Sequence, residues 1–337
     1  MKNDPLSSSP VIAIVGATGL VGGEMMTCLT EKKINCKEVR LLASSDSAGE
    51  LFSVCGKEFE VQTLEDDSFR GVDYALFATS SELAERYVPI AVEAGARVID
   101  NSSHFRMEPQ IPLVVPEVNA HTIAQAAIIA NPNCSTIQLV PVLKVLHECF
   151  GLKRVVVSTY QSVSGAGKVA LDELWSQTLA VFNQNEIEHD AFQHQIAFNC
   201  IPQIDVLQED GYTKEEMKII NESRKILNIP NLRITATAVR VPVFHSHAES
   251  VNVETERPVS LDIAKEKLHA AGIIMSVDGE YPMQLEVAGR DEVHVGRMRL
   301  DSSVEHGLNL WIVADNIRKG AALNAVQILE YLLQQTH

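Results

Sequence analysis

The sequence has no CxxC pair among its six cysteines, Cys28, Cys36, Cys55, Cys134, Cys149 and Cys200, which excludes a zinc ribbon and a dithiol redox motif. No apolar run reaches the roughly 18 residues that a membrane span requires, and the opening MKNDPLSSSP is too polar and too poor in basic residues for a secretory signal. A cytoplasmic protein without a membrane partner is therefore expected. Basic residues are also in deficit: 28 Lys and Arg against 44 Asp and Glu leave a formal charge of -16. Nucleic-acid binders concentrate positive charge, so no such partner is expected, although small anions can still be held locally. There is no internal repeat, low-complexity tract or long linker, and no metal site is expected.

What is present is an ordinary folded composition. Hydrophobic residues make up 46% and charged residues 21%, which leaves disorder and fibrous structure aside. At 337 residues the chain exceeds one core and suffices for two closely joined domains. Apolar runs at Pro10–Gly16, Val39–Ser45, Asp73–Thr79, Ala96–Asn101 and Ala127–Asn131 read as strands, with helical patterns such as Gly22-GEMMTCLTEKK and Glu82–Gly95 between them. That alternation predicts an α/β domain with a doubly wound, Rossmann-like parallel sheet covered on both faces. After a helix at STIQLVPVLKVLHECF, longer strands are expected at Lys153–Ser162, Ile234–Phe244, Val251-NVET, Met298-RLD and Leu308–Asp315. These fit an α+β domain built on a mostly antiparallel sheet, and a last helix from Gly320 closes the chain.

Between the first strand and the first helix, Gly16-Ala-Thr18-Gly19-Leu20-Val21-Gly22 places three glycines at GxxGxxG spacing. The first permits a tight turn, the second close approach of backbone to a pyrophosphate, and the third close helix–strand packing. The free N–H groups and positive helix end favour the anion. A dinucleotide is the expected cofactor. The second strand runs into Ser44-Ser45-Asp46-Ser47, where the adenosine ribose belongs. An acidic Asp46 there accepts from a 2′-hydroxyl and repels a 2′-phosphate, so the residues favour NAD over NADP.

Cys134 stands apart from the other cysteines because Asn131-Pro-Asn133-Cys134-Ser135 places it at a loop-to-helix junction. The positive helix end favours the reactive thiolate. Asn133 and the Cys134 amide are candidate donors to an oxyanion. A thiolate enzyme needs an acid or base, and Arg240-VPVF-His245-Ser-His247 supplies two histidines beside an arginine. In one extended strand His245 and His247 would share a face, and spacing alone does not choose between them. The turn Gln161–Lys168, with Ser164, Gly165 and Gly167, suits close approach to a ligand, and a plain loop fits it equally. Arg106 and Lys218 are candidate anion ligands.

Taken in order, GATGLVG, NSSHFR, VVPEVN, NPNCSTIQ, YQSVSGAGK, RVPVFHSHAES and DNIRKGAALNAVQ resemble the aspartate-semialdehyde dehydrogenase family over nearly the whole chain. The resemblance implies reversible NAD(P)H-dependent reduction of aspartyl phosphate to aspartate semialdehyde and phosphate through a cysteine thioester. That reaction serves lysine, diaminopimelate, threonine and methionine biosynthesis. It implies Cys134 as nucleophile, His247 as acid/base, and Gln161 positioning the thioester. Arg240 would grip the substrate carboxylate and Glu215 its amino group, while Arg106, Asn133 and Lys218 would take the phosphate. Ser164, Gly165 and Asn316 would meet the cofactor, NADP or NAD. It further implies a dinucleotide-binding domain of residues 1–133 plus 316–337, a catalytic and dimerisation domain of residues 134–315, and a homodimer.

The chain departs from the family pattern where Ser44-Ser45-Asp46-Ser47-Ala48-Gly49-Glu50 stands in place of Ser-x-Arg-Ser-Ala-Gly-Lys, which weighs against a 2′-phosphate. Ala78-Thr79-Ser80-Ser81 replaces a glycine pair, and Ser246-His247-Ala248-Glu249 replaces Gly-His-Ser-Glu. The competing readings are N-acetyl-γ-glutamyl-phosphate reductase, with the same thioester chemistry, and a non-catalytic paralogue that keeps the fold for binding.

Overall fold

The run VIAIV forms strand β1 (Val11–Val15), with all five side chains buried. Its residues serve two cores in alternation. Ile12 and Ile14 pack with Met25, Leu29, Val326 and Leu329 from the helices Leu20–Glu31 and Leu323–Gln335, whereas Val11, Ala13 and Val15 pack with Phe77, Val88 and Ala91 on the side of the helix Ser81–Glu93. A strand covered on both faces needs apolar residues at every position, which is why the run is continuous rather than alternating. This is a computed structural model, and it describes residues 9–277 and 279–335.

Two units form. The first comprises the chain up to Pro116, Ala120–Pro132 and the chain from Ala322; the second comprises Glu117–Asn119 and Asn133–Ala321. This division places Glu117–Asn119, Asn133 and residues 316–321 in the second unit.

In the first unit β1 is joined by β2 (Glu38–Ala43), β3 (Leu51–Val54), β4 (Lys57–Thr63), β5 (Tyr74–Phe77), β6 (Arg97–Asp100) and β7 (Ile128–Ala130) in the order β3-β4-β2-β1-β5-β6-β7. Every pairing is parallel except the β3–β4 hairpin at the edge. The order reverses at β1, so the crevice beyond its carboxyl end is where such sheets take ligands. The glycine turn occupies that position. Gly16 has φ +83°, and a Cβ on Gly22 would stand 2.2 Å from the Gly16 carbonyl oxygen. Replacing Gly22 by alanine is expected to cost about 1–3 kcal/mol, because only backbone can move to relieve the overlap. Urea unfolding checks this, and an unchanged midpoint would refute the close-packing role.

The second unit carries a sheet of β8 (Leu152–Gln161), β9 (Arg233–Arg240), β10 (His247–Thr255), β11 (Ile274–Met275), β12 (His294–Leu300) and β13 (Gly307–Ala314) in the order β11-β12-β13-β10-β8-β9. The three central pairings are antiparallel, and β8–β9 and β11–β12 are parallel. Val155 and Val157 of β8, Ile234 and Ala236 of β9, and Val251 and Val253 of β10 bury one face of this sheet with Leu139, Leu143 and Leu146 of the helix Cys134–Phe150.

Several boundaries differ from expectation: β9 ends at Arg240 rather than Phe244, and β12 begins at His294 rather than Met298. The segment from Val251 belongs to a strand that begins at His247, and the chain between β9 and β10 bends, with Ser246 at φ +69°. His245 therefore stays exposed in the bend while His247 is fully buried at the start of β10, so the two histidines do not share a face. The final helix starts at Leu323 rather than Gly320, because Arg318–Ala322 form a π turn ahead of it. Among the described residues no helix is long and apolar enough to cross a membrane.

Candidate functional site

In the second unit, strand register assembles the polar groups. Gln161 pairs with Arg240 across β8–β9 and with His247 across β8–β10, so three strand ends meet in one row. Each lies on the face that is apolar further along its strand, since side chains two residues apart share a face. The core face thus changes from valine and isoleucine to Gln161, Arg240 and His247, all at most 6% exposed.

Cys134 is the first residue of the helix Cys134–Phe150. Asn133 caps it, its side-chain oxygen accepting from the Ser135 amide at 3.0 Å, and no acidic residue occupies the first turn. Both features favour an anion at the helix start. A Cβ on Gly320 would stand 2.9 Å from Cys134 Cβ, so the backbone before the last helix presses against the cysteine. A Cβ on Gly165 would stand 3.0 Å from Arg240 Nη1 and 3.3 Å from His247 Nε2. Glycine there leaves open the point on which the guanidinium and the imidazole converge.

Arg240 is oriented by donating to the Ser162 carbonyl at 2.7 Å, and its guanidinium carbon lies 5.9 Å from the Phe192 ring centroid. Burial lowers its pKa, against the opposing pull of Glu215 and Cys134. It keeps its charge, since arginine is not deprotonated in proteins. His247 is pushed down to about 3, first by burial and then by the Arg240 charge, so its ring is neutral near pH 7. Its Nδ1 accepts the Ser162 amide at 3.1 Å, and its buried Nε2 has no hydrogen-bond partner among the described residues.

Glu215, on the helix Lys214–Leu227, accepts from Asn133 Nδ2 at 2.9 Å, Gln161 Nε2 at 3.3 Å and Lys218 Nζ at 3.2 Å. Burial works to raise its pKa, but Lys218, Asn133 and Arg240 together draw it below the usual carboxylate range. Lys218 also donates to Asp205 at 2.7 Å. Asn316 is buried among Ser162, Ser164 and Ser246. The second unit thus brings together Cys134, Asn133, Gln161, Ser164, Gly165, Glu215, Lys218, Arg240, His247 and Asn316.

The first unit holds the remaining candidates. Gly19 caps the first helix without a side-chain hydrogen bond, and no acidic residue lies in its first turn, which leaves amide donors and a positive helix end at Thr18–Gly22. Gly16 and Ala17 amides donate to Leu42 at 2.8 and 3.2 Å, and Ser47 Oγ donates to Thr18 Oγ1 at 3.4 Å, so the end of β2 lies against the glycine turn. Asp46 is exposed in the short turn Ser45–Ser47 directly after β2. These free amides and the positive helix end fit the phosphates of a dinucleotide, and Ser44, Asp46 and Ser47 lie alongside the turn. Arg106 is buried and donates to the Asn101 carbonyl at 2.7 Å.

Sequence reasoning missed Ser162, Phe192, Glu222 and Gly320. Glu222 accepts the Asn133 amide at 2.7 Å and so supports the cap of the Cys134 helix. Ser162 and Gly320 lie within quoted motifs, but nothing local marks their partners; Phe192 and Glu222 carried no signal.

Comparison with known proteins agrees with this architecture. Residues 11–126 match the family described as semialdehyde dehydrogenase, NAD binding domain, and residues 143–319 match semialdehyde dehydrogenase, dimerisation domain. The chain is 49% identical to aspartate-semialdehyde dehydrogenase 2 of Vibrio cholerae, covering 96% of this chain and 97% of that one. It is also 49% identical to aspartate-semialdehyde dehydrogenase of Aquifex aeolicus, over 96% and 98% of the two chains. The crystal structure of the Vibrio cholerae enzyme II complexed with ASA superposes with TM-score 0.95 at 49% identity, covering 97% of this chain and 99% of that one. The enzyme from Candida albicans with NADP superposes with TM-score 0.75 at 26% identity, covering 96% and 98%. By sequence and by fold, the chain belongs to the aspartate-semialdehyde dehydrogenase family.

Proposed function

We propose that this enzyme reduces L-aspartyl 4-phosphate to L-aspartate 4-semialdehyde and phosphate, reversibly, in the cytoplasm as a homodimer. The observation that carries the reading is the row Gln161, Arg240 and His247, with Cys134 at a helix start close enough for its charge to act on Arg240. When bound, NADP or NAD would supply the hydride acceptor or donor for this chemistry.

Written in the oxidative direction, the Cys134 sulfur attacks the aldehyde carbon and the carbonyl electrons move to oxygen. His247 serves that oxygen through Nε2, the ring nitrogen that has no hydrogen-bond partner among the described residues. Return of the electrons expels hydride from carbon and leaves a thioester, which phosphate then cleaves. Keeping the acyl group on sulfur preserves the activation that free-acid formation would lose. Arg240 pairs the substrate carboxylate as a planar fork, Glu215 meets the amino group, and Gln161 positions the thioester. Phosphate falls to Asn133 and Lys218, with Arg106 the first unit's candidate for the same role. Gly16, Thr18, Gly19, Leu20, Val21 and Gly22 would hold the pyrophosphate, Ser44, Asp46 and Ser47 would meet the ribose, and Ser164, Gly165 and Asn316 would be the second unit's cofactor contacts.

The deciding assay supplies aspartate semialdehyde and phosphate and follows reduced nicotinamide by absorbance, with NAD and NADP in parallel. Turnover with this substrate and none with N-acetylglutamate semialdehyde is expected; no turnover with either cofactor would overturn the reading. Replacing Asp46 by arginine should shift the ratio of kcat/KM toward NADP by about tenfold, equivalent to ~1.4 kcal/mol, by exchanging repulsion of a 2′-phosphate for a charge-assisted hydrogen bond. An unchanged ratio would place Asp46 outside the ribose site.

A further inference from the structure

The motifs VVPEVN and DNIRKGAALNAVQ are joined by an ion pair that the proposed chemistry does not use. Lys319, 3% exposed, donates through Nζ to Glu117 Oε1 at 2.5 Å, although the two residues lie 202 positions apart in sequence. Both belong to the second unit. Lys319 sits in the π turn Arg318–Ala322, a form of helix that often marks functional sites. The turn is anchored at further points. Arg318 Nε donates to Asp291 at 2.5 Å, and the Gly320 N–H donates to the Asp315 carbonyl at 2.9 Å. The Asp315 carboxylate, itself buried, receives the main-chain amides of Gly289, Ile317 and Arg318 at 2.7, 2.9 and 2.8 Å.

What this turn presents to the site is Gly320. A Cβ there would meet Cys134 Cβ at 2.9 Å, its Cα at 3.3 Å and its carbonyl oxygen at 3.4 Å. Gly320 does not have a positive φ, so space rather than backbone conformation calls for glycine. Its bare main chain fills one side of the cysteine, and the sulfur must turn to the other. A lysine as buried as Lys319 cannot lose its partner without being driven out of place, so the turn that carries it is tied to Glu117. Arg240, by contrast, is set by Ser162 and Phe192. Attack and carboxylate binding are thus governed by separate parts of the unit.

We propose that Lys319 and Glu117 are positioning residues for the nucleophile: their ion pair holds the π turn so that Gly320 stands against Cys134 and directs its sulfur toward the substrate. This rests on the reading of Cys134 as the group that attacks the aldehyde carbon. Neither residue touches the reacting atoms; both act through the main chain of Gly320.

The test measures steady-state kinetics of full-length variants with aspartate semialdehyde, phosphate and oxidised cofactor. Glu117→Gln and Lys319→Met should each lower kcat by about 10- to 100-fold, the cost of displacing a reacting group by an ångström or less, with KM for the semialdehyde changed by no more than about threefold. A small aldehyde without a carboxylate should lose turnover by the same factor, because the defect lies at the sulfur. The double variant should be no slower than the slower single one, since both substitutions break one pair. Lys319→Arg, which keeps the cation, should recover most of the kcat. If Lys319→Met does not fold, Glu117→Gln carries the test, because it is isosteric and its side chain is a third exposed. Full kcat in Glu117→Gln, a loss confined to KM, or effects that multiply in the double variant would overturn the proposal. Wild-type turnover by Cys134→Ala would instead remove the reading beneath it.

Discussion

Replacing Cys134 by alanine is expected to lower kcat by at least ~10⁴-fold while folding, dimerisation and dinucleotide binding persist. Chemistry that passes through a covalent bond to sulfur has no second route once the sulfur is gone, and losses of nucleophiles in covalent enzymes are of this order. The setting argues for sulfur as an anion. Cys134 begins a 17-residue helix capped by Asn133, has no acidic neighbour in its first turn, and lies within the field of Arg240. Little structural cost is anticipated, because Cys134 is only partly buried and alanine is the best helix former. Mass spectrometry of unaltered enzyme mixed with semialdehyde and oxidised cofactor, without phosphate, should reveal an acyl adduct on the peptide that carries Cys134. Activity within tenfold of the unaltered enzyme would eliminate the thioester assignment.

Arg240→Ala should reduce kcat/KM for aspartate semialdehyde by about 3–5 kcal/mol, roughly 10²- to 10⁴-fold, the scale on which buried charge pairs fail when one partner is removed. The guanidinium is 6% exposed and already oriented by the Ser162 carbonyl and the Phe192 ring, so a carboxylate would meet a preset fork. Lysine at this position keeps the charge and loses the bidentate geometry, so Arg240→Lys should recover only part of the loss. Because Arg240 also ties down Ser162, a structural collapse must be separated from lost recognition. A small aldehyde without a carboxylate separates them: its turnover should be nearly equal in Arg240→Ala and unaltered enzyme. A comparable loss with that aldehyde would show that Arg240 supports the site rather than the substrate.

Much of the first unit was legible because its signals are local. A strand buried on both faces must be apolar throughout, and VIAIV and YALF announce themselves for that reason. The β3–β4 hairpin was not read, because its residues Leu51–Val54 and Lys57–Thr63 form an exposed sheet edge with mixed polarity. The glycine turn was readable down to its third glycine, since backbone crowding at Gly22 leaves no room for any side chain.

The candidate site was legible as residue types and illegible as geometry. Cys134 could be singled out from its place beside an Asn-Pro-Asn turn and a helix, and the motifs carried the family. His245 and His247 could not be separated by spacing, because the bend at Ser246 that exposes one and buries the other is not a periodic feature. Glu215, read as a substrate ligand, turned out also to gather Asn133, Gln161 and Lys218, and Asn316 to be the centre of three serines.

By itself the sequence determined the α/β and α+β character of the two parts, the glycine turn, the helix that begins at Cys134 and the family, since each rests on neighbours along the chain. Only the tertiary structure decided that Gln161, Arg240 and His247 stand in one row and that Gly165 and Gly320 crowd the groups around them. Those facts depend on which strands pair and in what register. Register is selected by the joint burial of Val155, Ile234 and Val251 beneath one helix face, a preference that no single strand expresses alone.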